Sequence, residues 1–407
     1  MSDPNHPALS RRLNLPLLVF YGLGTTIGAG IFVLVGRVAG RAGMAAPVSF
    51  LAASLLAAFT AFSFAELVAR YPRSAGEAIY VREGFRSHRL ALIVGLMVAL
   101  SGMVSSAAIV NGSVGYLQEF LAMPRGAGII LILALLTALA LWGIGESVTA
   151  AAIFTVLEIG GLLLVIWAAK GSLAELPARG AELIPPADAG TWIGITAGAM
   201  LAFYAFLGFE DLVNVAEETR DVTRTMPAAI LLTLGVTTIL YVLVATVSVL
   251  TVTPDELAQS GAPLAFVYER ATGGPSGIIS GIAVFAVLNG ALIQMIMASR
   301  VIYGLADQGE LPAGLARVNA RTHTPVLATI LVAAIILVLA LFFPLDILAE
   351  TTSVIVLIVF ATVNLALILI KRRGAAAPKG VRTYPVWIPA IGFTASTGFL
   401  ALRFMWG

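Results

Sequence analysis

Two long apolar stretches of the sequence are interrupted by glycine, and the residues around the interruptions are the best candidates for chemistry. The run TTIGAGIF, residues 25–32, places Gly28 and Gly30 inside a hydrophobic segment, where glycine is about 1 kcal/mol less favourable than alanine in a helix. The run AFYAFLGFEDLVNVAEE, residues 202–218, places Gly208 just before Glu210 and Asp211. Both runs predict a helix that is broken in its middle.

A broken helix exposes backbone groups that can bind a small zwitterion. Unwound backbone survives at membrane depth only where it lines a protected cavity. The N–H groups after such a break carry the positive end of a helix dipole and bind a carboxylate, while freed carbonyls accept hydrogen bonds from an ammonium group. The alternative is that Gly28 and Gly30 only allow two helices to pack closely.

Two acidic residues in apolar stretches are candidates for ion coupling. Glu158 interrupts the stretch 148–169, and Glu210 follows the interruption at Gly208. Because an acid at the centre of a membrane helix costs roughly 2.5–3.5 kcal/mol, such residues are functional candidates. A desolvated Glu158 can exchange a proton near neutral pH, or it can bind Na⁺ or a substrate amine. Alternatively, it is a neutral carboxyl group hydrogen-bonded to a carbonyl.

The composition indicates the elements that must position these residues. Of 407 residues, 59% are hydrophobic and 11% are charged, whereas about a quarter of the residues in a soluble protein are charged. A spanning helix needs about 20 mostly apolar residues. The sequence contains eleven such stretches, at 15–36, 43–69, 90–121, 126–144, 148–169, 191–214, 227–251, 275–303, 325–343, 346–370 and 385–405. We therefore predict an all-α polytopic membrane protein.

The positions of the basic residues predict the orientation. A cytoplasmic N-terminus places 17 of the 24 lysines and arginines in cytoplasmic segments and 7 outside, as the positive-inside rule requires. Eleven spans then place the C-terminus outside. The interruptions lie in spans one and six, and paired interruptions in two halves indicate an inverted-repeat transporter. We expect repeats at about 15–170 and 191–370, an extra helix at about 385–405, and one transmembrane domain over 1–407.

Other functional classes have little support in the sequence. Cysteine is absent, and His6, His88 and His323 are scattered, so neither a metal site nor another cofactor is expected. The sequence has no phosphate-binding loop of the G-x-x-x-x-G-K-[ST] type, no nucleophile beside a base, and no basic and aromatic surface for nucleic acid. The expected partners are the lipid bilayer, a small-molecule substrate and a coupling ion.

Four segments resemble amino acid permeases of the amino acid–polyamine–organocation superfamily. They are GTTIGAGIFV (24–33), FAELVARYPRSAGEAIYVREGF (64–85), GFEDLVNVAEETRDVTRTMPAAI (208–230) and SRVIYGLADQGELP (299–312). The resemblance implies a five-plus-five inverted-repeat fold with broken helices one and six. It also implies a secondary active amino acid transporter of the cytoplasmic membrane that works by alternating access. Many members of the superfamily have twelve spans, whereas this sequence has eleven candidates.

The resemblance also implies a set of substrate-binding residues on the two broken helices. They are Thr26, Ile27, Gly28, Ala29, Gly30 and Ile31 on the first, and Phe203, Tyr204, Ala205, Phe206 and Gly208 on the second. Tyr204 lies where the family has an aromatic lid over the substrate. Without the resemblance, the sequence favours an aromatic side chain that is packed in the interior or lies at the membrane interface.

Glu158 lies where related permeases carry a lysine or a sodium site. Proton coupling is the expectation, with Na⁺ as the other candidate ion. An amine or polyamine carrier and an amino acid exchanger remain alternatives.

Overall fold

The computed structural model describes residues 13–73, 76–142, 148–307, 309–319, 322 and 324–406. In these residues the only β-type pairing is an isolated bridge between Leu13 and Thr219, so the all-α prediction is confirmed for this part of the chain. The sixteen α-helices are α1 Leu15–Ala42, α2 Ala46–Arg70, α3 Gly76–Phe85, α4 His88–Gln118, α5 Arg125–Trp142, α6 Val148–Ala168, α7 Lys170–Leu173, α8 Leu176–Arg179, α9 Ala189–Phe206, α10 Val222–Thr251, α11 Pro254–Gln259, α12 Pro263–Thr272, α13 Gly277–Asp307, α14 Val326–Phe342, α15 Leu345–Arg372 and α16 Trp387–Trp406. Four short 3₁₀ helices are Gly43–Ala45, Gly180–Leu183, Glu210–Glu218 and Ala313–Ala316.

Local sequence signals account for where several helices begin. The side chains of Asn14 and Asp188 accept hydrogen bonds from backbone N–H groups in the first turns of α1 and α9. Thr253 and Glu256 form a reciprocal capping box at the start of α11. Such caps satisfy N–H groups that have no partner within the helix.

The helices α1 and α9 are interrupted where the sequence predicts. Gly28 has non-helical torsion angles (φ −22°, ψ −134°) and kinks α1. The helix α9 ends at Phe206, Leu207 is extended (φ −67°, ψ 140°), and a 3₁₀ helix continues from Glu210. Gly208 between them has φ +126°, a torsion angle that favours glycine because it has no Cβ.

The number of spans stays a prediction. Each of the eleven predicted stretches overlaps one of the α-helices above. In the described residues, seven helical segments are long and apolar enough to cross a membrane, and three shorter apolar helices are Leu15–Gly28, Phe154–Ala168 and Val326–Phe342. Large apolar side chains such as Leu55, Leu131 and Trp167 are exposed on the outer faces of the bundle, as contact with lipid requires.

Helices of the first half of the chain pack in pairs against helices of the second half. The helix α1 packs on α9, α2 on α10, α4 on α13, and α5 on α14. The helix α15 lies beside α4 and α9, and α16 packs against α15 and α2. The two interrupted helices therefore meet inside the bundle.

Candidate functional site

The two interruptions face each other at contact distance. A Cβ atom built on Gly208 would lie 2.5 Å from Thr25 O, so no larger residue fits there. The Thr25 hydroxyl is 3.0 Å from both Gly22 O and Gly208 O and can donate to either carbonyl. This hydroxyl links the backbone of the two broken helices.

Tyr241 of α10 also bridges the two broken helices. Its hydroxyl lies 2.8 Å from Thr26 O and 3.0 Å from Ala205 O, and its single proton serves one carbonyl at a time. The ring is buried and packs on Phe206, with 5.1 Å between centroids. Tyr241 thus supplies a hydrogen-bond donor to carbonyls beside the interruptions.

Gly30 lies in a tight helix contact, whereas Gly28 borders open space. A Cβ on Gly30 would lie 2.4 Å from Ala205 Cα, so Gly30 provides the close packing of α1 on α9 that is the alternative interpretation of the glycine pair. A Cβ on Gly28 would have no neighbour closer than 3.8 Å. The open space beside the interruption therefore lies at Gly28.

A small cavity occupies this space, and we call it the break cavity. It is lined by Thr25, Thr26, Gly28, Gly30, Ser105, Ile109, Tyr204, Leu207, Gly290 and Gln294. Four of the predicted residues, Thr26, Gly28, Gly30 and Tyr204, are among them. The remaining lining residues come from α1, α4, α13 and the interruption after α9.

The other predicted substrate-binding residues lie behind the lining. Ile27 and Ile31 are fully buried in the packing. Phe203 packs edge-on against Phe360 at 5.8 Å, while Phe206 contacts Tyr241 and Ala205 contacts Gly30. Gly208 contributes its backbone contact to Thr25. The side chain of Ala29 lies outside the described residues.

Tyr204 closes one side of the break cavity by contacting α4. Its hydroxyl is 3.0 Å from both Ser105 Oγ and Ser105 O, and the residue is only 5% exposed. The hydrogen bond ties α9 to α4 beside the cavity. This is the place of a lid residue, although the lid role itself stays a prediction.

A second small cavity, which we call the acidic cavity, adjoins the first. The two cavities share Ser105, Leu207 and Gln294. The remaining lining residues of the acidic cavity are Glu77, Val98, Ser101, Glu210, Asp211, Met297, Thr352, Val356, Val359 and Phe360. Glu210 accepts a hydrogen bond from Gly208 N at 2.8 Å, and Asp211 accepts one from Gln294 Nε2 at 3.1 Å.

Glu158 lies apart from both cavities, on α6. It is 1% exposed, and Asn289 of α13 donates a long hydrogen bond of 3.4 Å to its Oε1. Among the described residues, its Oε2 has no hydrogen-bond partner. A buried carboxyl group with one oxygen unpartnered suits a site that takes up a proton or a cation. The two predicted coupling residues, Glu158 and Glu210, therefore belong to different sites.

Sequence reasoning did not select several residues of the site. Ser105, Ile109, Gly290 and Gln294 lie on α4 and α13, and Tyr241 lies on α10. For Thr25 and Asp211 the signal was their position in the sequence, next to the glycine pair and next to Glu210, respectively. For the others, an isolated polar or aromatic residue in an apolar helix was the only signal.

Comparison with known proteins identifies relatives over nearly the whole chain. The family model described as amino acid permease matches residues 13–406. A branched-chain amino acid permease, BcaP, of Bacillus subtilis is 28% identical over 92% of this chain and 84% of its own length. An uncharacterized transporter of Mycobacterium tuberculosis is 34% identical over 82% of this chain and 74% of its own. The vacuolar cationic amino acid transporter 4 of Arabidopsis thaliana is 29% identical over 89% and 64%, respectively.

Proposed function

Because this chain belongs to the amino acid permease family, we propose that it is a secondary active transporter that moves amino acids across the cytoplasmic membrane by alternating access. The observation that carries the proposal is the break cavity, which lies between two interrupted helices. A cavity lined by interrupted helices near mid-membrane is the usual substrate site of inverted-repeat transporters. The pairwise packing of α1 on α9, α2 on α10, α4 on α13 and α5 on α14 supports a five-plus-five arrangement.

The substrate's two charged groups have complementary backbone groups at the interruptions. Its carboxylate binds N–H groups that follow Gly28 in α1. Its ammonium group donates to carbonyls beside the interruptions. The carbonyls of Thr26, Ala205 and Gly208 are contacted by Tyr241 or Thr25, but each carbonyl oxygen has two lone pairs.

The substrate site is tested by enlarging Gly28. Gly28→Leu should fill the break cavity and abolish amino acid binding, whereas Gly28→Ala should still fold and bind because its Cβ has 3.8 Å of clearance. Binding is measured on purified protein with a panel of amino acids and amines, by the shift in unfolding temperature that a ligand causes. Wild-type affinity in Gly28→Leu would contradict the site, and a preference for amines without a carboxylate would favour the amine carrier.

We propose further that a proton drives transport and that Glu158 carries it. The buried, half-partnered carboxyl group of Glu158 supports this role. In liposomes, Glu158→Gln should keep substrate exchange and lose accumulation driven by a pH gradient. Glu119→Gln, in the connection after α4, is the matched control.

Three outcomes would change the coupling assignment. Accumulation at the wild-type level in Glu158→Gln would make Glu210 the next candidate. Accumulation driven only by a Na⁺ gradient would make Glu158 and Asn289 cation ligands. If the wild-type protein exchanges amino acids but accumulates them under neither gradient, it is an exchanger.

The relatives' names point to two substrate classes, branched-chain and cationic amino acids.

A further inference from the structure

The break cavity opens towards a region of negative charge. The acidic cavity shares the walls formed by Ser105, Leu207 and Gln294 with the break cavity. A substrate held by its carboxylate and ammonium groups at the interruptions can therefore extend its side chain past Leu207. The residues around the acidic cavity then decide which side chains are accepted.

Three carboxyl groups line the acidic cavity without a cation to balance them. Glu77 and Asp211 are 5% and 6% exposed. No lysine or arginine is among the lining residues, and Glu77, Glu210 and Asp211 form no ion pair within the described part of the chain. Buried carboxylates are costly unless they are paired. The cavity therefore requires a positive charge or protons from elsewhere.

Glu77 is the least satisfied of the three. Glu210 and Asp211 each accept a hydrogen bond, from Gly208 N and Gln294 Nε2. The Glu77 carboxyl group, though more than nine-tenths buried, forms no hydrogen bond or ion pair with another residue of the described ranges. It lines the cavity from α3, opposite the 3₁₀ helix that carries the other two acids.

Three acids that line one cavity from two elements suit an organic cation with several donors. Within the described ranges, no three Asp, Glu, His or Cys residues lie close enough together to hold one metal ion. An ammonium or guanidinium group has several N–H donors that point in different directions. Such a group can contact separate carboxyl groups that could not share one small ion.

We propose that the acidic cavity binds the charged end of the substrate's side chain, so that the preferred substrates are amino acids with a cationic side chain, such as lysine, ornithine and arginine. This inference rests on the proposed function, because it places the substrate's carboxylate and ammonium groups in the break cavity. Glu77 and Asp211 are its specificity residues. Gln294 positions Asp211 at the boundary between the two cavities.

The test compares ligands that differ only at the end of the side chain. Lysine, norleucine and Nε-acetyl-lysine are titrated against purified wild-type protein, with unfolding temperature and displacement of labelled substrate as readouts. We expect lysine to bind at least tenfold more tightly than the two neutral analogues. Equal or tighter binding of norleucine would overturn the inference and leave the proposed function intact. If no amino acid binds or is transported, the proposed function itself fails.

Variants locate the selectivity. Glu77→Gln and Asp211→Asn should each lower the ratio of lysine to norleucine affinity at least fivefold. Glu83→Gln is the matched control, because it lies on the same helix with a side chain that is 41% exposed, and it should leave the ratio unchanged. An unaltered ratio in both cavity variants would overturn the assignment. A stabilisation by NaCl over choline chloride without amino acid, removed by Asp211→Asn, would identify a Na⁺ site and also overturn it.

Discussion

The buried acid Glu66 and the acids of the acidic cavity differ in whether a cationic side chain pairs with them. Glu66, which is fully buried near the end of α2, accepts hydrogen bonds from Arg70 Nε at 2.9 Å, Lys371 Nζ at 2.7 Å and Tyr384 N at 2.8 Å. In the part of the chain that the structure describes, no lysine or arginine lines the acidic cavity. The fold thus pairs the buried Glu66 with cationic side chains at the place where α2 meets the end of α15. It leaves unpaired the acids beside the break cavity, where a substrate can supply the charge.

The largest effect is expected where the acid is paired. Glu66→Gln leaves Arg70 and Lys371, whose side chains are 5% and 9% exposed, without their counter-charge. Breaking such a buried pair costs about 3–5 kcal/mol. Thermal unfolding of the purified protein in detergent measures the loss. Glu83→Gln provides the reference, and equal unfolding temperatures for the two variants would contradict the prediction.

An intermediate effect is expected at Tyr241, which satisfies carbonyls rather than charges. Tyr241→Phe removes the donor to Thr26 O and Ala205 O, and should lower the free energy of unfolding by about 1–3 kcal/mol. Tyr268→Phe on α12 removes a hydroxyl that makes no hydrogen bond to another described residue, and should have little effect. The same denaturation measurement checks both, and a neutral Tyr241→Phe would mean that other groups satisfy these carbonyls.

Neutralising the unpaired acids should not destabilise the protein without ligand. In the double variant Glu210→Gln and Asp211→Asn, the amide oxygens can still accept from Gly208 N and Gln294, while the repulsion between neighbouring negative charges disappears. The free energy of unfolding should stay the same or rise by on the order of 1 kcal/mol. A loss as large as that of Glu66→Gln would show that these acids are structural.

A further effect concerns the pH dependence of stability. Burial, with a smaller contribution from the negative charge of Asp211, raises the pKa of Glu77 from 4.5 to about 7. Between these values the folded state binds more protons than the unfolded state, so stability falls as pH rises and levels off above about pH 7. The unfolding temperature of wild type relative to Glu77→Gln should fall by about 4 °C from pH 4.5 to 7. A constant difference would exclude this titration.

The interruptions were predictable from sequence because each one breaks at least one local rule. Glycine is unfavourable inside a helix, and Glu210 and Asp211 are unfavourable in an apolar stretch. Gly28 and Gly208 therefore stood out, and the structure has its non-helical torsion angles there. The glycine pattern alone could not tell that Gly30 packs on Ala205 while Gly28 borders the cavity.

The walls of the cavities could not be predicted in the same way. Ser105, Gln294 and Tyr241 do not disturb the pattern of their helices, and only the packing of α4, α13 and α10 brings them to the interruptions. Glu77 lies on the short helix α3, between two predicted spans, where an acid is unremarkable by sequence. Its burial follows from the packing of α3 against α4 and α15.

The contact between Gly30 and Ala205 limits the ways in which the bundle can deform. Because a Cβ on Gly30 would lie 2.4 Å from Ala205 Cα and 2.7 Å from Ala205 Cβ, only the alanine methyl group separates the backbones of α1 and α9 here. We expect such close packing to resist translation of one helix along the other. The two broken helices should then move together about this contact, as about a shared pivot.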